Sequence, residues 1–296
     1  MYRAVHLGIG KEVALKVLAP SVDTQEFALR FEREARTVAR LDHPGCVRIL
    51  DYGHTEQRVP FIEMELLEGG TLAAVLESEG QLSTRRAVYI ARSLLAALAH
   101  AHAHGVIHRD VKPENVMMVG SRVVLIDFGL ACVRDAAALT AAGMCVGSPS
   151  YIAPERLLGQ PYDARNDVYA VGVLLYEMLA GVRPFIGSTP EEIMQHVLAR
   201  PPRPLRACRP EVPRALDALV QRALTKEPAR RFADAEEMLS ALDDIALDDD
   251  LVEARSTELV RRDEASTMIE IPIRRPSPWA RAWSWLRYGR WRWRHA

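Results

Sequence analysis

With 296 residues, 49% of them hydrophobic, the chain can bury a sizeable core, which excludes a wholly disordered protein and suits one large bilobal domain or two modest ones. Cys46, Cys132, Cys145 and Cys208 form no C-x-x-C pair, arguing against a disulfide framework or zinc site and for a reducing compartment. The net charge of −1 conceals segregation: Asp243, Asp244, Asp248, Asp249 and Asp250 cluster, whereas Arg274 to the C-terminus carries seven arginines and no acid, which sets a boundary near residue 245.

In chain order, Met1 to Gly10 lacks the apolar core and cleavage site of a signal peptide, and no apolar run is long enough to span a bilayer, so a cytoplasmic location is expected. Gly8-Ile9-Gly10-Lys11 reads as a hairpin turn, and Val13 to Leu18, bounded by Gly10 and Pro20, as a strand. Phe27, Phe31, Ala35, Val38 and Leu41 recur at helical spacing through Ser21 to Leu41. Glu34 falls on that apolar face, where a carboxylate is costly unless a cation meets it, and Lys16 is the nearby candidate. Phe61 to Leu67 reads as a further strand running to Gly69-Gly70.

Ala87 to His104 is amphipathic and ends at Gly105, a good left-handed cap. His100 and His104 have the spacing of helical metal ligands, but no carboxylate or third ligand accompanies them, so a structural role is expected. Val116 to Val119 and Val123 to Ile126 flank Gly120-Ser121 as a hairpin that presents Asp127. Val168 to Leu179 contains Glu177 and reads as a buried core helix, and Thr189-Pro190-Glu191-Glu192 as a capped helix start.

The most specific signal is His108-Arg109-Asp110-Val111-Lys112-Pro113-Glu114-Asn115 followed by Asp127-Phe128-Gly129. Handling a magnesium-bound triphosphate requires carboxylate and amide oxygens for the cation and a carboxylate to orient the attacking hydroxyl, and Asp110, Lys112, Asn115 and Asp127 supply that set. The two segments resemble the catalytic and metal-binding loops of eukaryotic-type protein kinases, most of all the bacterial serine/threonine kinases. The resemblance covers about residues 1 to 245.

It implies an α+β, bilobal protein kinase fold: a small antiparallel-sheet lobe with one helix and a mainly helical large lobe, with ATP and Mg²⁺ bound between them. It implies that Asp110 is the catalytic base, that Lys112 steadies the transferring phosphoryl, and that Asn115 and Asp127 hold Mg²⁺. Lys16 would grip the α- and β-phosphates and Glu34 would hold Lys16. Ala14, Met64 as gatekeeper, and the backbone of Glu65 and Leu67 would surround the adenine. Leu130 to Ala153 resembles the activation segment, with Thr140 a phosphorylation site that could pair with Arg109. Ser148 stands where the family usually has threonine and keeps the hydroxyl that would meet Asp110 and Lys112. Asp167 would brace the catalytic loop, and Arg231 would pair with Glu155 structurally. Lys112, two positions after Asp110, points to serine and threonine rather than tyrosine acceptors on protein substrates.

Only fifteen residues precede Lys16, whereas the family places a strand, a G-x-G-x-x-G loop and a second strand there. Met1-Tyr2-Arg3-Ala4 resembles the Val-Tyr-x-Ala that follows that loop, so the expectation is a start assigned too late, with a catalytically weak or inactive binding module as the alternative. All five tryptophans, Trp279, Trp283, Trp285, Trp291 and Trp293, lie in the last eighteen residues among arginines. A disordered tail, contact with the inner membrane surface, or, more weakly, single-stranded nucleic acid all fit that composition. The expected organisation is therefore a small lobe over 1–67, a large lobe over 68–245, an acidic and polar linker over 246–273 and an Arg/Trp-rich tail over 274–296. Oligomeric state is not written in the sequence.

Overall fold

The computed structural model describes residues 1–6, 10–17, 32–33, 35–55, 59–128, 149–246 and 291–293. The chain divides into two compact units, one made of Met1–Val22, Ile49–Glu68 and Asp248–Ala296, the other of Asp23–Arg48 and Gly69–Leu247.

The first unit is a twisted antiparallel sheet. β1 (Tyr2–His6) and β2 (Lys11–Val17) form a hairpin in register His6 to Lys11, closed by a hydrogen bond from Gly10 N–H to the His6 carbonyl at 2.8 Å. Gly10 adopts φ +66°, the left-handed region in which only glycine carries no Cβ penalty, which accounts for its place at the end of the turn. β3 (Ile49–His54) and β4 (Pro60–Glu65) complete the run, giving the order β3-β4-β2-β1, and β4 pairs with β2 so that Ala14 lies opposite Met64 and Lys16 opposite Ile62. Beyond β1 the sheet gains a strand from the other end of the chain, β8 (Trp291–Trp293). The sequence reading assigned no strand to that tail.

The first described residues of the second unit, 32–33 and 35–38, are helical, and it continues through a short strand, β5 (Gly70–Thr71), into α1 (Leu72–Glu79), capped by the Thr71 hydroxyl. α2 (Thr84–Ala103) starts three residues earlier than the apolar periodicity indicates, because the Ser83 hydroxyl accepts from Arg86 N–H and Ala87 N–H bonds the Ser83 carbonyl. β6 (Val116–Val119) and β7 (Arg122–Leu125) form the expected hairpin and join β5 in a three-stranded sheet.

The short α3 (Pro154–Leu157) leads to α4 (Ala164–Ala180), whose start is fixed by a capping box between Asp163 and Asn166. Nearly every side chain of α4 is buried, as its unbroken apolar run requires, with α2 and α7 (Arg214–Ala223) among its packing partners. α5 (Pro190–Ala199) has Thr189 as N-cap and Pro190 at its first position, but Glu192 reaches back to Ser188 N–H at 2.7 Å, one residue beyond the N-cap. α6 (Leu205–Cys208) and α8 (Ala235–Asp243) complete the helices, and α8 lies against α2.

Candidate active site

The loop between α2 and β6 carries the polar cluster, and the fold constrains it from three sides. Asp167, near the start of α4, is buried and accepts from three donors: His108 N–H at 2.8 Å and His102 Nε2 at 2.9 Å on Oδ2, and Arg109 N–H at 2.9 Å on Oδ1. His108 is wholly buried, its ring 4.7 Å from that of Phe128. Its Nδ1 accepts from Asp110 N–H at 3.2 Å, which fixes the tautomer with the proton on Nε2, and that nitrogen donates to the Ile126 carbonyl at 2.9 Å. Burial drives the imidazole pKa down, and the surrounding carboxylates, Asp167 foremost, oppose this incompletely.

The two residues that present functional groups adopt strained backbone: Arg109 has φ +71° and Asp127 φ +65°, values that cost energy for any residue with a Cβ. The strain is held in place by the bonds around it. Ile126 N–H donates to the Asn115 carbonyl at 2.9 Å, tying the loop to the segment that carries Asp127.

Within this frame Asp110 Oδ2 accepts from Lys112 Nζ at 2.6 Å and from Asn115 Nδ2 at 2.9 Å. The Asn115 amide nitrogen also donates to the Asp110 carbonyl at 2.8 Å. Its nitrogen is thus committed, and its oxygen is the group left for a cation. Asp110 is partly open to solvent, and its Oδ1 carries neither of these bonds. A small pocket beside Asp110 and Lys112 is lined by Arg109, Tyr151, Arg156 and Tyr162, with the Arg156 guanidinium 3.7 Å from the Tyr162 ring centre.

In the small sheet, Ala14, Lys16 and Met64 share one face, as the register requires, with Glu65 at the end of β4 and Leu67 just beyond it. Glu34, Thr140 and Ser148 lie outside the described residues. The structure therefore brings Asp110, Lys112 and Asn115 into one hydrogen-bonded group and sets Asp127 at the end of the tied segment. Sequence reasoning missed His102 as a partner of Asp167; the two lie 65 residues apart, and the pairing is visible only once α2 and α4 are adjacent.

Deeper support comes from Glu155 and Arg231, joined by two bonds of 2.7 Å, with Asn166 Nδ2 donating to the same Glu155 Oε1 at 2.5 Å. Tyr151 donates its hydroxyl proton to Glu177, whose carboxyl burial pushes up in pKa while the Tyr151 bond and Arg183 act against it.

Residues 1–242 match the protein kinase domain family, and the chain belongs to it. It is similar to the serine/threonine-protein kinase pkn3 of Myxococcus xanthus, at 38% identity over 94% of this chain and 52% of that protein. It is also similar to PknD of Mycobacterium tuberculosis, at 36% identity over 92% of this chain and 41% of that one, and to PknA of the same species, at 40% over 78% and 54%. The chain spans about half the length of these curated relatives. The crystal structure of Rad53 1-466 in complex with AMP-PNP superimposes with a TM-score of 0.67 at 24% identity, over 81% of this chain and 60% of that one, which establishes the shared α+β kinase fold. No described helix is long and apolar enough to cross a membrane.

Proposed function

We propose that the chain transfers the γ-phosphoryl group of ATP to serine and threonine hydroxyls of protein substrates. The observation that carries this reading is the single hydrogen-bonded group Asp110–Lys112–Asn115, oriented by Asp167 through the backbone of the loop. Bonds to Lys112 and Asn115 on Oδ2 leave Asp110 Oδ1 to accept the proton of an incoming hydroxyl and aim its oxygen at phosphorus. Lys112 brings a positive charge to the position where negative charge grows on the transferred group.

The amide oxygen of Asn115 and the carboxylate of Asp127 are hard donors of the kind Mg²⁺ requires, so these two residues fit the metal and would hold it. When bound, the metal neutralises phosphate charge. Lys16, on the face it shares with Ala14 and Met64, is assigned to the α- and β-phosphates, and the backbone of Glu65 and Leu67 to the adenine edge. The residues over 1–67 and 68–245 are read as the two kinase lobes, and a reducing, cytoplasmic setting suits the free thiols; Cys46 is buried, which pushes its pKa up to about 12 and makes it inert. Regulation by phosphorylation of Thr140, with Arg109 as its partner, remains part of the proposal, as does Ser148 as the hydroxyl that meets Asp110.

Autophosphorylation with radiolabelled ATP and magnesium tests the reading. Wild-type chain should incorporate label, and Asp110→Asn and Lys16→Met should each lower the rate at least about 100-fold, the range expected for loss of a positioned base. Wild-type signal no higher than that of either variant would instead support a kinase-like binding module. Mass spectrometry of the labelled chain should find phosphate on Thr140; an active sample with unmodified Thr140 removes that residue from the proposal.

A further inference from the structure

Three imidazoles lie in a row at the end of α2, and one of them comes from a distant part of the chain. The His43 ring stacks on that of His100 at 5.3 Å between centres and 28° between planes, and His100 meets His104, one turn further along, at 4.4 Å and 40°. His43 and His100 are half-buried, and His104 is exposed. His43 Nδ1 accepts from Gly45 N–H at 3.0 Å, and His104 Nδ1 donates to the His100 carbonyl at 2.8 Å. His100 Nε2 is buried and has no hydrogen-bond partner. A charged imidazole carries a proton on both nitrogens, so charging His100 leaves an N–H without an acceptor unless the ring turns out of the stack.

The stack sits where it can act on the loop over 43–47. That loop is pressed against α2: a Cβ on Gly45 would lie 2.9 Å from the Ala97 Cβ, and Cys46 Sγ is 3.7 Å from the Ala97 carbonyl oxygen. Its backbone is also tied to β7, with Leu125 N–H donating to the Gly45 carbonyl at 2.8 Å and Val47 N–H to the Leu125 carbonyl at 3.0 Å. Two residues beyond Leu125 stands Asp127 with its positive φ. The other ionisable groups on the segments that meet here are few. Asp42 and Arg48 are exposed at the two ends of the loop, and Cys46 is a buried thiol. Arg122 of β7 donates to the Pro44 carbonyl at 3.1 Å, and His102 of α2 faces Asp167. No aspartate or glutamate occurs in α2.

We propose that His43, His100 and His104 form an acid-responsive latch: with neutral rings the stack clamps the 43–47 loop to the end of α2, and charging of neighbouring rings frees the loop and loosens its hold on β7. Two adjacent imidazolium rings would place like charges 4.4 to 5.3 Å apart, at a half-buried position where water screens them less than in the open. The carbonyl end of α2 favours a first proton, but the helix supplies no carboxylate to offset a second. Burial holds the His43 pKa below the ordinary 6.5, and the charge of His100 pushes it the same way. As pH falls the unfolded chain therefore binds more protons than the folded one. Stability from the neutral stack is complete above about pH 6.5 and is lost as pH drops through the lower folded value. The inference concerns the loop and β7 alone and holds whether or not the chain transfers phosphate.

Hydrogen exchange on the full-length chain tests it without any activity measurement, with each amide's protection taken relative to its intrinsic rate at the same pH. The Val47 and Leu125 amides should lose at least about fivefold in protection between pH 7.5 and pH 5. His43→Asn keeps an acceptor for Gly45 N–H but cannot be charged, and His100→Phe keeps a ring in the stack. In each variant the loss at these two amides should be at least about threefold smaller than in wild type. His108 is intact in all three chains, so its own titration is common to them and drops out of the comparison. A loss as large in both variants as in wild type would overturn the proposal. A second measurement needs only the wild-type chain: the Cε1–H resonance of His43, followed by NMR against pH, should titrate with a midpoint below 6.5. A midpoint at or above that value would equally overturn the proposal.

Discussion

Arg231 grips Glu155 through both terminal guanidinium nitrogens at 2.7 Å, although 76 residues separate them and both side chains are almost wholly buried. The pair is more than an ion pair in isolation. Asn166 donates to Glu155, and Arg231 also donates to the carbonyls of Thr225 and Lys226, so the cation and the anion are both saturated with partners.

Removing one member strands the other in a low-dielectric interior, which costs more than the pair contributes as a unit. Arg231→Ala should lower unfolding free energy by about 3–5 kcal/mol. Glu155→Gln should cost less, since an amide keeps one acceptor for Arg231 and Asn166. Urea denaturation of the two variants measures the difference, and equal small losses in both would show the pair to be dispensable.

On the proposed function, Asp167 would position the loop without touching the reacting atoms. Its two oxygens hold the His108 and Arg109 amides, and Arg109 is one of the two described non-glycine residues with positive φ, so the carboxylate sustains backbone that would otherwise relax. Asp167→Asn replaces one acceptor by a donor facing an N–H. Autophosphorylation should fall at least about 10-fold while melting temperature changes little beyond the loss of one buried bond, about 1–3 kcal/mol. Faster exchange of the His108 and Arg109 amides is the signature that separates positioning from a general loss of stability.

Local chemistry made much of this molecule legible. The β6–β7 hairpin follows from β-branched runs around Gly120-Ser121, and Asp110 and Asn115, which bracket the cluster with Lys112, are only five positions apart, so proximity was built into the spacing. Where contacts cross long stretches of chain, the sequence offered less. His102 meets Asp167 across 65 residues, and its role depends on how α2 and α4 pack. β8 was invisible for a related reason: three residues carry no periodicity, and their pairing with β1 joins segments almost 290 positions apart in the chain. The start of α2 was misjudged because apolar spacing begins inside the helix, whereas the Ser83 cap lies before it.

Gly172 provides a test of packing against propensity. In mid-helix, alanine is favoured over glycine by about 1 kcal/mol. A Cβ at this position, however, would lie 2.8 Å from the Ala223 Cβ and 3.3 Å from Leu224 Cδ2, so α4 and α7 approach as closely as they do only because glycine is there. Overpacking of this kind costs about 1–3 kcal/mol, enough to outweigh the propensity gain. Gly172→Ala should therefore be destabilised, and adding Ala223→Gly should restore part of the loss. A stabilised single variant would show that the two helices can separate freely.

His108 makes stability depend on pH in a window set by its imidazole. Burial depresses its folded-state pKa below the ordinary value of 6.5, so the unfolded chain binds more protons than the folded one as pH falls. Stability from this group is therefore complete above about pH 6.5 and is lost as pH drops through the lower folded value. Protonation would also place a proton on Nδ1, against the Asp110 N–H that it now accepts, so the loop that holds Asp110 should loosen in the same range. Glu63 and Glu177 have raised pKa values and give the opposite slope, less stability as pH rises above their unfolded value of 4.5, so the comparison must be made between variants. His108→Phe keeps an aromatic ring against Phe128 and loses both hydrogen bonds. It should be about 1–3 kcal/mol less stable than wild type at pH 7.5, and the gap should narrow towards pH 5. Urea titrations of both chains at half-unit steps from pH 5 to 7.5 measure this, and a gap that is constant across that range would mean that His108 does not titrate there.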